Sequence, residues 1–345
     1  MQETVLKINL TNLKNNAVQF KKLTDRFLYA VVKADAYGHG SVAVANALYP
    51  IADGFAVALL SEAIAIKGAA GEKEILIFTP PTDEEDVLIA ANNGFSLTAT
   101  DVRSANLIVN AAKKYSLSVV AQIKVNTGMN RYGTYGANLG KVCAILKRSG
   151  QVRVQGVYSH LYSHDVDLCE MQRLRFWKGV RICRSYFPLA RAHLASTYGT
   201  TLGNEYLFDG VRIGLGLYGY FPEENSPLPL QPVMQAHAVC VAKRKCLFGG
   251  AGYGTERKEL VGEMLSTVRC GYAEGLGLFS EKSGLKPPFI GNFCMDVGIC
   301  TTAIEQGKSV ELFSDARSVA RARGTSVYEV LCLAAARARR IYFYE

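Results

Sequence analysis

Eight short apolar runs alternate with helical stretches through the first two-thirds of the chain, and that count restricts the fold more than any other feature. The runs are Leu28–Lys33, Gly54–Leu59, Glu74–Phe78, Phe95–Ala99, Leu117–Val125, Val154–His160, Arg191–Ala195 and Phe208–Arg212. Between them, Asp101–Lys114 and Val166–Phe187 read most clearly as helices. Such alternation builds a parallel sheet covered by helices. Eight repeats over about 220 residues favour a closed (β/α)8 barrel of the TIM type, because open doubly wound sheets more often stop at five or six strands. A short strand, Leu6–Leu10, precedes the repeats. Thr11 is expected to cap the helix whose apolar positions are Leu13, Ala17, Phe20 and Leu23.

The alternation ends at a Pro-rich stretch, Phe221 to Pro232, through which no helix can run. This places a boundary between a barrel over residues 1–226 and a smaller, mainly-β domain over 227–345. In the second part, Ala236–Lys243, Glu263–Arg269, Pro288–Gly291 and Gly298–Thr302 read as strands between Gly-rich turns. A helix over Ser326–Arg339 and a last strand over Arg340–Tyr344 close the chain.

With 345 residues, 49% of them hydrophobic, the chain has ample material for a large core. The net charge of +9 raises nucleic acid as a partner. The basic residues are dispersed, however, except for Arg337, Arg339 and Arg340, and no aromatic-basic interleaving of a single-strand binder occurs. A positive field suits anionic small molecules equally well. No apolar stretch is long enough to span a membrane. Met1-Gln2-Glu3-Thr4 begins neither a signal peptide nor a transit sequence. Nine cysteines without a Cys-x-x-Cys pair fit free thiols in a reducing cytoplasm, and no metal site is expected.

A barrel makes a further expectation possible, since barrel enzymes collect their reactive groups at the C-terminal ends of the strands. Lys33 ends the first run, Lys124 lies near the end of the fifth with Arg131 beyond it, and His160 ends the sixth. Thr197 follows the seventh, and Arg212 ends the eighth with Gly214 and Leu215 after it. Each has a plain alternative: a snorkelling lysine, a core histidine, an N-capping threonine, an arginine paired with Asp209, glycines that turn the chain. Together they suggest a site. A buried amine has a lowered pKa and attacks carbonyls. Hydroxyls and bare backbone N–H groups at Tyr37, Thr197, Gly214 and Leu215 would cradle a phosphate.

The text around these positions resembles the alanine racemase family. Val31-Val32-Lys33-Ala34-Asp35-Ala36-Tyr37-Gly38-His39-Gly40 is similar to its pyridoxal-phosphate (PLP) lysine motif without a mismatch. Asn126-Thr127-Gly128-Met129-Asn130-Arg131-Tyr132-Gly133, Ser159-His160-Leu161, His193-Leu194-Ala195-Ser196-Thr197 and Val211-Arg212-Ile213-Gly214-Leu215 resemble further blocks. So do Gly252-Tyr253-Gly254, Gly271-Tyr272-Ala273-Glu274-Gly275 and Cys294-Met295-Asp296 in the last third. Three departures stand out. Asn126 replaces an aspartate and removes a charge beneath Arg131. Ser196-Thr197 replaces Asn-Ser and keeps a hydroxyl. Ala336 falls where the family's gating tyrosine is expected, which implies a roomier site.

The resemblance implies PLP carried on Lys33, with Tyr37, Arg131, His160, Thr197, Arg212, Gly214 and Leu215 holding the cofactor. It implies two bases, Lys33 and Tyr253, on opposite faces of the substrate, and Arg131, Tyr272, Met295 and Asp296 as substrate-binding residues. Arg212 would donate to the pyridine nitrogen and leave it unprotonated, since guanidinium accepts no proton. Lys124 matches a lysine that some members carry as a carbamate. Tyr253 would come from the partner in a head-to-tail homodimer. The expected activity is L- to D-alanine interconversion, supplying D-alanine for peptidoglycan. The alternatives are serine or a larger amino acid as substrate, a non-catalytic PLP carrier, or a PLP decarboxylase of basic amino acids.

Overall fold

The computed structural model describes residues 4–223, 226–254 and 256–345. After strand β1 (Val5–Asn9), the eight expected runs form β2 (Phe27–Val31), β3 (Gly54–Val57), β4 (Glu74–Ile77), β5 (Ser96–Ala99), β6 (Val119–Lys124), β7 (Val152–Tyr158), β8 (Arg191–His193) and β9 (Gly210–Ile213). They are paired in parallel in chain order, and β9 closes on β2 through registers such as Tyr29 with Arg212. Strands β3, β5 and β9 are buried at every residue. That is why they read as continuous apolar runs: a parallel sheet has both faces covered.

The barrel interior carries a polar chain. Gln122 on β6 donates to the Tyr29 hydroxyl on β2 at 2.9 Å and to Glu74 on β4 at 2.6 Å. Strands four apart in an eight-stranded barrel lie on opposite walls, so these side chains meet across its middle. Arg191 and Gln155 also bond Glu74, which leaves that buried carboxylate paired and fully hydrogen-bonded.

The second sheet comprises β10 (Met234–Lys245), β11 (Met264–Val268), β12 (Phe289–Ile290), β13 (Gly298–Cys300), β14 (Ser309–Phe313) and β15 (Arg339–Phe343). Its order is β12-β13-β11-β10-β1-β15, with β14 also on β10. Along β10, Met234, Ala236, Ala238 and Cys240 are buried and alternate with wetter residues, the pattern of a sheet with one covered face.

Several local expectations are corrected. The first strand does not belong to the barrel: β1 pairs with β10 and β15 in the C-terminal sheet. The first helix, Leu10–Thr24, is capped by Asn9, whose side chain accepts from the Asn12 N–H at 3.0 Å; Thr11 instead donates to the Glu345 carbonyl. The last helix spans only Val327–Ala334, because residues from Arg339 onward pair with β1 and that pairing overrides local helical preference. Strand β14 and the helix Ala316–Arg323 were not anticipated. The Pro-rich crossing is pinned to the first helix: Asn16 donates to the Leu217 and Gln231 carbonyls and accepts from the Gln231 N–H. Among the described residues no helix is long and apolar enough to cross a membrane.

Candidate active site

A cavity of about 440 Å³ opens at the C-terminal end of the barrel strands. Lys33, Tyr37, Arg131, His160, Thr197, Arg212, Gly214 and Leu215 all line it, together with Lys124. Four of its lining residues are Lys or Arg and none is Asp or Glu.

Lys33 does not end a strand. Strand β2 stops at Val31, and Lys33 begins a tight turn in which Ala34, Asp35, Ala36 and Tyr37 all adopt left-handed backbone angles, with φ of 51°, 51°, 56° and 53°. Left-handed non-glycine residues cost about 1–3 kcal/mol each and persist only where their surroundings fix them. Here the Ala34 N–H donates to Glu62 at 2.6 Å, and Asp35 accepts from the Ser41 N–H at 2.7 Å. The turn aims the Lys33 side chain and the Tyr37 ring into the cavity. Burial first, and then the Arg131 charge, hold the Lys33 amine below its ordinary pKa. A neutral, nucleophilic amine is favoured as a result.

Thr197 does not cap a helix through its side chain; its Oγ1 accepts the Gly216 N–H at 3.1 Å. A Cβ added to Gly214 would stand 2.6 Å from the Tyr37 hydroxyl, and one on Gly216 2.4 Å from the Phe20 ring. Gly214 has φ of −115°, outside the left-handed region, and the close approach of Tyr37 leaves no space for a side chain there. Hydroxyls from Tyr37 and Thr197 and side-chain-free backbone at Gly214 thus meet at one end of the cavity, a cradle suited to a phosphate dianion.

Arg212 is buried without a carboxylate among its hydrogen-bond partners. It donates to His193 Nδ1 and the His193 carbonyl, both at 2.8 Å, to the Ser159 and Leu194 carbonyls, and to His160 Nδ1 at 3.3 Å. Asp209, the alternative partner, pairs with Arg184. Burial lowers the Arg212 pKa to about 10, which leaves it charged at neutral pH. Burial and then the Arg212 charge push His160 and His193 well below the usual imidazole range, so both rings stay neutral. Lys124 is buried beside the Tyr158 ring. Desolvation, then Arg212 and Arg131, lower its pKa strongly. The Asn126 amide shapes its own loop, accepting from the Gly128 and Asn130 N–H groups and donating to the Asn130 side chain.

Tyr253, Tyr272, Met295 and Asp296 are not among the residues lining this cavity. The C-terminal domain gathers them around residues 292–296: Tyr253 forms a β-bridge with Asn292, the Tyr272 N–H donates to the Cys294 carbonyl, and the Ala273 N–H donates to the Met295 carbonyl. Tyr253, Tyr272 and Met295 are exposed, at 67%, 40% and 53%. Asp296 pairs with Arg337 at 2.8 Å, and Arg337 also holds the buried Glu274.

The cavity carries a ring from the last helix, though not from position 336. Ala336 is exposed beyond the last helix and does not reach the cavity. Tyr328, on that helix, does, with its ring 5.8 Å from that of Tyr37. The signal that points to Tyr328 is its position four residues before Cys332, one helical turn away and on the same face.

A (β/α)8 barrel that turns a desolvated lysine, a phosphate-type cradle and a charged arginine into one cavity defines an enzyme that handles an anionic carbonyl compound. Comparison with known proteins gives the class a family. Residues 8–222 match the family model for the alanine racemase N-terminal domain, and residues 233–342 match that for its C-terminal domain. An alanine racemase of Streptococcus agalactiae is 31% identical, with 97% of each chain covered; one of Stutzerimonas stutzeri is 31% identical, with 99% of each covered. Among solved structures, alanine racemase from Clostridium difficile superposes with a TM-score of 0.89 at 25% identity, covering 99% of this chain and 96% of that one. Alanine racemase from Bartonella henselae, described with covalently bound pyridoxal phosphate, gives 0.87 at 25% identity, covering 99% and 100%. The chain belongs to the alanine racemase family.

Proposed function

We propose that this chain is a PLP-dependent racemase that interconverts L- and D-alanine, with Lys33 and Tyr253 as its two bases. The observation that carries the reading is the cavity itself: it is lined by two lysines, two arginines and no carboxylate, with a phosphate-type cradle at one end. Such a lining fits PLP, which brings a phosphate, a phenolic oxygen and an aldehyde that reacts with a neutral lysine. When bound, the cofactor acidifies the α-proton of an attached amino acid.

The chain's own residues do the rest. Tyr37, Thr197, Gly214 and Leu215 would hold the phosphate. His160 would lie against the cofactor as a neutral ring, since protonating it would add a cation to an already positive site. Arg212 presents N–H groups and accepts no proton, so a ring nitrogen facing it stays unprotonated. Arg131 would hold the phenolic oxygen and reach the substrate carboxylate. Lys33 Nζ takes or returns the α-proton on one side of the α-carbon. Tyr253 Oη does so on the other, with the cationic site lowering the cost of the phenolate.

Tyr253 is displayed on an exposed face with Tyr272 and Met295. This supports a head-to-tail homodimer in which each C-terminal domain completes the partner's site, and Asp296 would then line that entrance. The barrel part is taken as residues 1–226 and the β part as 227–345, with β1 crossing over to the second sheet. D-alanine made in the cytoplasm would feed peptidoglycan synthesis.

The test is direct. Purified protein with PLP and L-alanine is expected to form D-alanine, read by chiral chromatography. Lys33→Ala should abolish both turnover and the absorbance of lysine-bound cofactor. Tyr253→Phe should lose activity and keep that absorbance. Retention of the absorbance without D-alanine in the wild type would overturn the racemase reading in favour of PLP carriage.

A further inference from the structure

The basic run at the chain's end has no place in the chemistry above, yet one of its members touches the turn that carries Lys33. Arg340 lies on β15, fixed opposite Leu6 in the parallel register with β1. Its Nε donates to the Gly38 carbonyl at 2.8 Å, and its terminal NH2 reaches Asp35 Oδ2 at 2.6 Å. A single guanidinium edge therefore grips the second left-handed residue of the turn and the first residue after it. Only a planar fork spans both; an ammonium offers a point charge.

The same C-terminal segment shapes the turn's outer surface. A Cβ on Gly38 would fall 2.3 Å from the Leu331 carbonyl oxygen, and one on Gly40 2.0 Å from the Tyr342 hydroxyl. The barrel supplies two tethers, Glu62 to the Ala34 N–H and the Asp35 carboxylate to the Ser41 N–H. The third tether comes from the other sheet. A run of four left-handed non-glycine residues needs such over-determination.

We infer that Arg340 is a positioning residue: through Asp35 and Gly38 it locks the left-handed turn 34–37 and so holds the Lys33 amine in its reactive orientation. The inference rests on the reading of Lys33 as the reactive lysine. It makes the geometry of the barrel site depend on docking of the last strand.

The experiment compares the full-length wild type with Arg340→Met, Arg340→Lys, Asp35→Asn and the Arg340→Met/Asp35→Asn double variant. Amide hydrogen exchange of residues 34–41 is followed by mass spectrometry with and without PLP, and kcat and KM are measured for L-alanine. Arg340→Met and Asp35→Asn should each speed exchange in the turn by about tenfold or more, and kcat should fall by a similar factor with KM little changed. Arg340→Lys should recover part of both effects. The double variant should be no worse than Arg340→Met, since that change already removes the contacts to both Asp35 and Gly38. Unchanged exchange in the turn, or additive single effects, would overturn the inference. If Arg340→Met does not fold, Asp35→Asn, which leaves β15 untouched, decides alone by the same exchange readout. A wild type without racemase activity but with the exchange response would sink the functional reading and leave the clamp standing. An active wild type without the response would do the reverse.

Discussion

Arg212 donates to Nδ1 of His193 at 2.8 Å, and this bond fixes the state of a chain of groups behind it. A guanidinium accepts nothing, so Nδ1 must be the bare nitrogen and Nε2 must carry the proton. His193 Nε2 then donates to the Gln122 side-chain oxygen at 2.7 Å. That settles the amide orientation of Gln122, whose nitrogen faces Tyr29 and Glu74. The arginine that enters the cavity is thus aimed from inside the barrel, through neutral acceptors that leave its charge undiminished.

A protonated His193 could not accept from Arg212, which makes acid a structural threat. His39, buried and stacked on Tyr218, has its pKa lowered to about 4, and His160 and His193 lie well below the ordinary range. The unfolded chain binds protons at these three positions below pH about 6.5, where the folded chain does not. Stability is therefore expected to be full above that pH and to fall as pH drops below it, by up to about 1.4 kcal/mol per pH unit for each histidine. Urea midpoints measured from pH about 7.5 to 5 should decline through a range where carboxylates barely titrate. His193→Gln should flatten the decline. A flat wild-type profile would mean the rings are not held neutral.

Gly214→Ala tests the cradle with the smallest possible change. Its φ lies outside the left-handed region, and the added Cβ meets the Tyr37 hydroxyl at 2.6 Å. The hydroxyl must move out of the cavity end where a phosphate would sit. PLP affinity should drop by about tenfold or more while the thermal midpoint of cofactor-free protein shifts little. Cofactor titration followed by absorbance measures the first, and calorimetry the second. Unaltered affinity would place the phosphate elsewhere.

Tyr328→Ala asks whether the ring at the mouth sets substrate size. Removing it opens the cavity beside Tyr37. The ratio of kcat/KM for L-serine to that for L-alanine should rise by about tenfold, within the reach of one lost packing contact. Ala336→Tyr is the companion variant, and it should lower that ratio if residue 336, just beyond the same helix, is the gate. If the Ala336 variant moves the ratio and the Tyr328 variant does not, the gate has been assigned to the wrong residue.

How much of this was legible in the sequence follows from the range of the interactions involved. The barrel strands could be read because parallel strands are buried on both faces and leave unbroken apolar runs. Eight of the expected site residues could be read because strand ends deliver side chains to one place. The left-handed turn after Lys33 could not, since nothing in Ala34-Asp35-Ala36 announces it and its tethers come from Glu62 and Arg340, far along the chain. The sheet to which strand β1 belongs could not be read for the same reason: its partners lie more than 200 residues away. The capping alternative for Thr197 gave way to a bond from the Gly216 N–H, a partner 19 residues on that local pattern does not announce. Tyr328 was not singled out, because its approach to the cavity depends on packing against Tyr37, nearly 300 residues away in the chain.

The last prediction concerns the distance between the two proposed bases. Lys33 lines the barrel cavity, whereas Tyr253 stands 67% exposed on the β domain of the same chain. If two copies share sites, every cavity takes its lysine from one chain and its tyrosine from the other. Lys33→Ala and Tyr253→Phe homodimers should then both be inactive. In a heterodimer of the two, one site carries both lesions and the other carries neither. Random reassortment makes half the dimers mixed, so the co-refolded sample should recover about a quarter of wild-type turnover. If each site lay within a single chain, no combination would restore an intact pair of bases, and the mixture would stay as inactive as its parents. Turnover of L-alanine by the separated and mixed variants, with the dimer fraction followed by light scattering, distinguishes these outcomes.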